Sequence, residues 1–384
     1  MLPRPLLAGS RAPMRFASVA LALARWGLVR RKPAELRRIL VLHHLLLGDT
    51  LMLTALLAKL RSAHPSADIV MSVPRAYSPL YATRPFGVVA QILDPRDIAT
   101  FWSLLRLPRF DLVILPADNR WSWLARAIGA RWIVGLAGDR PYHKNWPVDE
   151  ELPYSALPTA YCETAATLVE GPQPAPYRSA DWAMPSVAAF PDFGPAYAVL
   201  HVGASSVLKL WPPERWRALA AWLETRGLRV VWSAGPGENA IVDAIDGGSQ
   251  RARILGTLSL SELWHVLQRA RLLACPDTGI AHLGRIIGVP MVTLFGPGSA
   301  LICGPGEFFA DMPGCAVTVD PFVCRDQTIQ FFREVPWARR CERLYGTSPG
   351  QCSRAQCMEA IDIDAVRAAI ESLRVFDVSH QATH

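Results

Sequence analysis

The chain has 384 residues, of which 51% are hydrophobic and 19% are charged. This length exceeds one ordinary core and fits two domains of about 150 to 200 residues each, and the composition excludes a disordered or repetitive chain. The net charge is +7, but residues 1–38 carry nine Lys or Arg and one Glu, so the other 346 residues sum to −1. Because the body is nearly neutral and lacks interleaved basic and aromatic residues, nucleic acid is not expected as a partner.

The N-terminal segment, residues 1–36, is basic and amphipathic. Phe16, Val19, Leu23 and Trp26 recur at spacings of three and four among arginines, a pattern typical of a helix at a membrane interface. An extension packed on its own domain is an equally good interpretation, because amphipathic stripes are commonest as core faces. The stretch "FASVALALA" also admits a signal peptide. No apolar run reaches the roughly 20 residues of a spanning helix, so we predict a soluble or peripheral protein.

Apolar strand-like runs alternate with helical periodicity after this segment. We predict strands at 37–43, 67–73, 110–116 and 131–136, and helices at 50–62 and 121–130. This βαβ rhythm predicts an α/β domain with a parallel sheet, which we place at residues 37–185.

The turn after the first strand contains Gly48 and Asp49, in the stretch "VLHHLLLGDTLMLTALLAKL" (41–60). Ligands of open α/β sheets bind at the carboxyl ends of the strands, so Asp49 is expected to face a cleft. The alternative is that Asp49 caps the following helix, a common role worth around 1 kcal/mol. Position alone favours the cap, and the two roles can coexist.

A proline-rich stretch without periodicity, residues 183–196, predicts an interdomain linker that we place at 186–196. The rhythm then restarts. We predict strands at 197–203, 228–234, 270–276 and 290–295, and helices at 214–227, 260–270 and 362–375. The second domain is placed at 197–360 and a C-terminal helix and tail at 361–384, so a binding cleft is expected between two α/β units.

The first loop of the second domain, "HVGASSVLKLWPPERW" (201–216), combines small residues with Lys209. Small residues let backbone N–H groups approach an anion, and a lysine adds a point charge suited to phosphate. The alternative is that Lys209 is an ordinary solvated surface lysine.

The next loop, "SAGPGENA" (233–240), matches G-x-G-x-x-A through Gly235, Gly237 and Ala240. A dinucleotide site would also need an acidic residue about 20 positions further on, and none is present at the end of the next predicted strand. The loop therefore leaves Glu238 as a candidate contact for a sugar or ribose hydroxyl.

The most specific stretch is "ACPDTGIAHLGRIIGVPMVTLFGPGS" (274–299). Asp277 ends a strand, and Thr278-Gly279 opens a helix whose free N–H groups favour a pyrophosphate. A second tight loop, Gly296-Pro297-Gly298, ends the following strand. Together these loops predict a nucleotide-diphosphate site. A lone His282 in the first helical turns is more often a packed or capping residue than a ligand contact.

Eight cysteines are present, and the last four, Cys324, Cys341, Cys352 and Cys357, are separated by 16, 10 and 4 residues. No CxxC pair occurs, so zinc is only weakly indicated, and disulfides would require an oxidising compartment. We predict reduced structural thiols and no metal site, and whether the four meet in space is left open.

Four motifs, in this order, resemble glycosyltransferase family 9, the ADP-heptose:lipopolysaccharide heptosyltransferases. The stretches are "ILVLHHLLLGDTLMLTALLAKLRSAHPSADI", "GASSVLKLWPPERW", "SAGPGE" and "DTGIAHLGRIIGVPMVTLFGPGS", and the resemblance runs from about residue 38 to 370. It implies a GT-B fold, in which two Rossmann-like domains face each other across a cleft. The acceptor would bind to the N-terminal domain and the nucleotide sugar to the C-terminal domain, and the last helix would cross back.

The resemblance also implies roles for individual residues. Asp49 would be the general base that deprotonates the acceptor hydroxyl in an inverting transfer. The donor phosphates would be bound by Lys209, Ser205, Ser206, Thr278 and Gly279. The nucleoside or sugar would be held by Glu238, Asp277 and His282. Such charge stabilisation requires no metal ion and no cofactor other than the nucleotide-sugar substrate.

The acceptor side departs from the family pattern. His43, His44, Leu45 and Leu46 stand where the family usually has a basic residue and small hydroxyl residues, so His43 and His44 are predicted acceptor-side residues and the acceptor is left unnamed.

The implied function is transfer of a heptose or related sugar from ADP-heptose to a lipopolysaccharide-type glycolipid or polysaccharide. The implied location is the cytoplasm, with the N-terminus on the inner leaflet. A nucleotide-sugar epimerase and a nucleotide-binding scaffold without catalysis are the alternatives.

Overall fold

The computed structural model describes residues 10–26 and 30–377. The first domain contains strands β1 Arg38–Val41, β2 Asp68–Val73, β3 Val89–Ile92, β4 Leu112–Leu115, β5 Trp132–Leu136 and β6 Glu150–Leu152. Its helices are α1 Ala12–Ala24, α2 Leu47–Met52, α3 Thr54–Ala63, α4 Ile98–Leu105, α5 Ser122–Ala127 and α6 Tyr161–Ala166. The strands form one parallel sheet in the order β3-β2-β1-β4-β5-β6.

The second domain repeats this plan. Its strands are β7 Tyr197–His201, β8 Arg229–Ala234, β9 Ala252–Leu255, β10 Leu272–Pro276, β11 Met291–Phe295 and β12 Gly314–Thr318. Its helices are α7 Pro213–Thr225, α8 Asn239–Asp246, α9 Leu260–Arg269 and α10 Gly279–Ile287. The sheet is again parallel, in the order β12-β11-β10-β7-β8-β9. Counted within each domain, both sheets have the Rossmann order 3-2-1-4-5-6, which confirms the predicted GT-B class.

The remaining elements follow β12. They are the short hairpin strands β13 Ile329–Gln330 and β14 Arg333–Glu334, and the helices α11 Gln356–Glu359 and α12 Ile363–Ser372. None of the described helices combines the length and apolar character needed to cross a membrane.

Every predicted strand is present. Within the two six-stranded sheets the four unpredicted strands, β3, β6, β9 and β12, are the sheet edges, and the short hairpin of β13 and β14 was not predicted either. An edge strand is covered less completely than a central strand, so it can fold without a continuous apolar run. Sequence analysis relies on such runs and therefore did not detect these strands. The predicted helix at 50–62 is two helices, α2 and α3, that meet at Leu53. Residues 183–196 contain no helix or strand.

Helix α1 packs on the first domain with Met14, Ser18 and Ala22 buried. The predicted apolar stripe is divided: Phe16 is 78% exposed and Leu23 is 56% exposed, whereas the Trp26 ring stacks on Trp123 with centroids 5.7 Å apart. Helix α1 is therefore packed on its domain and still presents apolar side chains to solvent.

The prediction that the last helix crosses back to the first domain is wrong. Helix α12 packs on β11, β12 and α7, and its Val366 and Ile370 belong to the core of the second domain. The part of the chain that crosses is the irregular stretch 319–357, which we call the cysteine segment. Arg333 in this segment donates hydrogen bonds to the carbonyl oxygens of Ala117, Leu136 and Ala137 in the first domain.

Candidate functional site

The cleft lies where the strand order reverses in each sheet. In the first sheet this point is between β1 and β4, and in the second sheet it is between β7 and β10. Loops after adjacent strands diverge there, which leaves a crevice at their carboxyl ends. Asp49 follows β1, Lys209 follows β7 and Asp277 directly follows β10, so all three predicted residues come from the two reversal points.

Helices α2 and α10 bring the two reversal points into contact. A Cβ atom built on Gly48 would lie 2.6 Å from Cδ2 of His282, and one built on Gly279 would lie 2.9 Å from Cβ of Leu47. A side chain at either glycine would force the helices apart. The glycine before Asp49 therefore allows α2 to pack directly on α10.

Asp49 lies inside the first turn of α2, which is capped at Leu46, and its side chain makes no capping hydrogen bond. The alternative of Asp49 as an N-cap is therefore wrong. Its side chain is half-buried, and burial raises the pKa of its carboxyl to about 6, with the Arg340 cation opposing and the Asp277 carboxylate adding to the rise. A carboxylate with a pKa near neutrality is suited to general base catalysis.

Lys209 and Asp277 form an ion pair in the second domain. The Lys209 Nζ atom donates to Oδ2 of Asp277 at 2.9 Å and to the Asp277 carbonyl oxygen at 2.8 Å. Burial opposes the ammonium charge, but the Asp277 carboxylate outweighs it and raises the pKa of Lys209. An ammonium group has three donors, so one remains for a further anion. Lys209 is thus a half-buried, oriented cation and not a solvated surface residue.

His282 is buried between the domains. Burial lowers the pKa of its imidazole to about 3, so the ring is neutral. Its Nδ1 atom is 3.3 Å from Nη1 of Arg285, and because arginine only donates, Nδ1 accepts and Nε2 carries the proton. Nε2 is 4.0 Å from Oδ1 of Asp277, which is too far for a hydrogen bond, and the ring lies against Gly48 between the two helices.

The other predicted phosphate contacts border this ion pair in sequence. Ser206 caps the short turn that ends at Lys209, and Ser205 is exposed beside it. Thr278 is the N-cap of α10, but its buried Oγ1 atom has no hydrogen-bond partner within the described residues. An unpaired hydroxyl at a helix N-terminus is available to an anion. Gly279 starts the helix and packs on Leu47.

Glu238 belongs to a separate neighbourhood of the second domain. Its Oε2 atom accepts from the Gly235 amide at 2.7 Å, and Oε1 accepts from the Ala204 amide at 3.1 Å. The carboxylate therefore ties the loop after β7 to the loop after β8. These bonds fix the shape of the two loops, and Glu238 forms no hydrogen bond with Asp277.

A cavity of ≈ 1000 Å³ opens from Asp49 into the first domain. Both predicted acceptor-side histidines line it: His43 is buried, with its pKa lowered to about 3 by burial, and His44 is half-buried with its ring 6.3 Å from that of Trp121. Both are neutral at physiological pH, since burial also lowers the pKa of His44.

The cavity wall is mainly apolar but carries several cations. Arg11 precedes α1 as its N-cap and Arg15 lies within it, while Arg120 and Lys144 come from short turns of the first domain. Phe331 and Phe332 reach in from the cysteine segment, and Lys144 Nζ lies 4.2 Å from the Phe332 ring centroid. This combination suits a molecule with an apolar body and an anionic group.

Sequence analysis missed Arg340, Arg285 and the wall formed by α1. Arg340 comes from the cysteine segment, which has no periodicity or motif that places it near Asp49. Arg285 lies one turn after His282, a spacing that could have indicated the contact. Across residues 10–26 and 30–377, no three His, Cys, Asp or Glu side chains are arranged as ready metal ligands.

Comparisons with known proteins agree with this geometry. The profile of glycosyltransferase family 9 (heptosyltransferase) matches residues 98–307, which is more than half of the chain. Lipopolysaccharide heptosyltransferase 1 of Pseudomonas aeruginosa is 29% identical over 220 residues, covering 54% of this chain and 60% of that protein. The alignment thus spans less than two thirds of that relative. Lipopolysaccharide heptosyltransferase 3 of Escherichia coli is 24% identical over 286 residues, covering 65% and 80%.

Solved structures share the fold. A family 9 glycosyltransferase from Veillonella parvula has a TM-score of 0.67 at 18% identity, covering 90% of this chain and 99% of that one. The E. coli heptosyltransferase WaaC with ADP has a TM-score of 0.65 at 18% identity, covering 88% and 99%. At this identity the likeness establishes the two-domain architecture alone.

Proposed function

Since the chain belongs to glycosyltransferase family 9, we propose that it transfers a heptose from ADP-heptose to a lipopolysaccharide-type glycolipid acceptor. The observation that carries the proposal is the placement of Asp49, with its pKa of about 6, opposite the Lys209–Asp277 pair. A nucleotide-sugar epimerase is less favoured, because the curated relatives are transferases. A scaffold without catalysis has no need for a carboxylate tuned in this way.

The donor would bind to the second domain. The third donor of the Lys209 ammonium and the N-terminus of α10 with Thr278 are suited to the two phosphates. As the bond to the sugar breaks, negative charge builds on the diphosphate, and these fixed groups would stabilise it without reorganisation. The nucleoside would bind against the loops after β7 and β8, which Glu238 holds together.

The acceptor would enter the cavity in the first domain. Its hydroxyl would approach Asp49, which takes the proton while the oxygen attacks the anomeric carbon on the face opposite the leaving diphosphate. This geometry gives inversion at that carbon. The cations in the wall, Arg11, Arg15, Arg120 and Lys144, are suited to anionic groups on the acceptor.

Calorimetric titration with ADP, GDP and UDP tests the donor assignment. We expect the wild type to prefer ADP, and Asp277→Ala to lose that preference because Lys209 is no longer oriented. Asp364→Ala removes an equal charge from an exposed position on α12 and should bind like the wild type. Equal or absent binding of all three nucleotides by the wild type would contradict the assignment.

We further propose that the protein acts at the cytoplasmic face of the inner membrane, with the apolar stripe of α1 on the lipid. Phe16 and Leu23 are exposed there among arginines, as in interfacial helices. Phe16→Ser should reduce sedimentation with vesicles containing phosphatidylglycerol. Leu157→Ser, at an equally exposed apolar residue outside α1, is the control, and equal loss or no loss in both would contradict the proposal.

A further inference from the structure

The cavity in the first domain is apolar at its mouth and again at its inner wall. The mouth is formed by exposed apolar side chains, namely Val19, Leu23, Leu46, Trp146 and Phe332. The inner wall is formed by apolar side chains that are at most 3% exposed, namely Met14, Leu42, Ala117 and Leu124. A cavity that is apolar at both levels suits a chain of methylene groups, because each group gains by leaving water.

The charged and hydroxyl groups of the wall are largely engaged within the protein. Asp118 accepts from Nε of Arg120 at 2.5 Å, and Asp139 accepts from Nζ of Lys144 at 3.2 Å. The Ser18 hydroxyl donates to a carbonyl oxygen of its own helix at 2.7 Å. A buried sugar chain would need a hydrogen-bond partner for each hydroxyl, whereas a hydrocarbon chain needs none. The wall therefore favours an apolar part of the acceptor over an oligosaccharide.

One buried donor in this wall has no partner. His43 lines the cavity and is 1% exposed, and the Ser72 hydroxyl fixes its backbone through two hydrogen bonds of 2.7 Å. Nδ1 of the His43 ring accepts from the Leu45 amide at 3.3 Å, so Nε2 carries the proton of the neutral ring. Within the described residues, Nε2 has no hydrogen-bond partner. An orphaned donor in a cavity wall points to an oxygen atom supplied by a ligand.

We propose that the cavity binds an acyl chain of the glycolipid acceptor, and that Nε2 of His43 donates to the ester or amide carbonyl oxygen of that chain. The inference rests on the proposed transfer function and specifies which part of the acceptor the first domain recognises. The chain would enter at the mouth, where Leu23 also belongs to the exposed face of α1 that we place on the lipid. Arg11 and Arg15, exposed beside it, would meet an anionic headgroup.

This arrangement restricts the class of acceptor. Asp49 and His43 line the same cavity of ≈ 1000 Å³, which is the size of a site for one small molecule and not for a long polymer. The accepting hydroxyl at Asp49 and the acyl carbonyl at His43 must therefore be close together in the acceptor. The acceptor would be a sugar near the acylated end of a glycolipid, not a sugar at the tip of a long oligosaccharide.

Transfer kinetics with a matched pair of acceptors test the proposal. One acceptor is a short lipopolysaccharide precursor with its acyl chains, and the other is the same molecule after complete deacylation, both in the same detergent. We expect kcat/KM to be about 10²-fold higher for the acylated acceptor, mainly through KM. Equal values would overturn the inference and leave the transferase assignment intact. Transfer to neither acceptor would contradict the proposed function, and the inference would fall with it.

A cavity variant separates chain binding from attraction to the detergent surface, which also favours an acylated acceptor. Ala117→Phe places a ring at the inner wall, so the ratio of kcat/KM for the acylated to the deacylated acceptor should fall about tenfold. Ala218→Phe makes the same change at an exposed position on α7 and should keep the wild-type ratio. An unchanged ratio in Ala117→Phe protein that binds ADP like the wild type would overturn the inference.

A pair of variants at His43 tests the hydrogen bond and does not depend on the fold of Ala117→Phe. His43→Phe keeps an aromatic ring but removes the donor, whereas His43→Gln retains an N–H group. We expect KM for the acylated acceptor to rise about tenfold more in His43→Phe than in His43→Gln, with KM for ADP-heptose alike in both. Equal KM values for the acylated acceptor in the two variants would overturn the assigned role of His43.

Discussion

Asp49 has an electrostatic environment that its neighbours in sequence do not provide. Burial raises the pKa of its carboxyl to about 6, and the Arg340 cation from the cysteine segment limits the rise. A general base acts only when ionised, so the rate should increase with pH up to the pKa and level off above it. The pKa of this proposed general base thus depends on Arg340, a residue far away in the chain.

The pH dependence of kcat/KM follows from this environment. We expect a rise of about tenfold per pH unit below pH 6 and a plateau above it in the wild type. Arg340→Gln removes the cation that lowers the pKa, so the rising limb should move to higher pH. Arg339→Gln makes the same charge change at the adjacent, exposed position and should leave the limb in place. Identical profiles for all three proteins would rule out the assigned role of Arg340.

Some site residues could be predicted from the sequence and others could not, for a physical reason. Asp49, Lys209 and Asp277 follow parallel strands at the points where sheet order reverses, so strand position alone brings them to the cleft. Arg340 reaches the cleft through an irregular segment held by distant contacts. Local patterns carry no signal for such a position.

At the scale of secondary-structure elements, the packing of α2 on α10 brings the two halves of the site together. Gly48 faces His282 and Gly279 faces Leu47 at distances that leave no room for a methyl group. The sequence indicated both helices, although it merged α2 with α3 and missed the four edge strands. It did not indicate that the two glycines face a partner helix, because that contact joins two domains.

Gly48→Ala should disturb this packing. The added methyl would lie 2.6 Å from Cδ2 of His282, and overpacking of this kind costs about 1 to 3 kcal/mol. We expect a lower Tm and slower transfer. Adding His282→Ala makes room for the methyl, so the double variant should lose less Tm than the sum of the single variants. Additive losses would show that the two residues do not contact each other in solution.

At the scale of the whole molecule, the cysteine segment joins the domains. The guanidinium of Arg333 donates to Ala117 O at 2.7 Å, Ala137 O at 2.9 Å and Leu136 O at 3.1 Å, all at the carboxyl edge of the first sheet. A buried planar fork with all three nitrogens engaged fixes position and orientation. The predicted crossing element was α12, which stays on its own domain. The two Rossmann-like domains could be predicted from the alternation of strands and helices in the sequence. The contacts between the domains could not, because they join residues that are far apart in the chain.

The central claim is that the two domains together form one inverting transfer site with Asp49 as its base. The most direct test measures heptose transfer from ADP-heptose to a lipopolysaccharide acceptor, together with ADP binding, for the wild type and for Asp49→Asn. The amide keeps the shape of the side chain but cannot take a proton at this pH. We predict a loss of transfer of about 10²- to 10⁴-fold with ADP affinity unchanged. Transfer by Asp49→Asn at the wild-type rate would contradict the account.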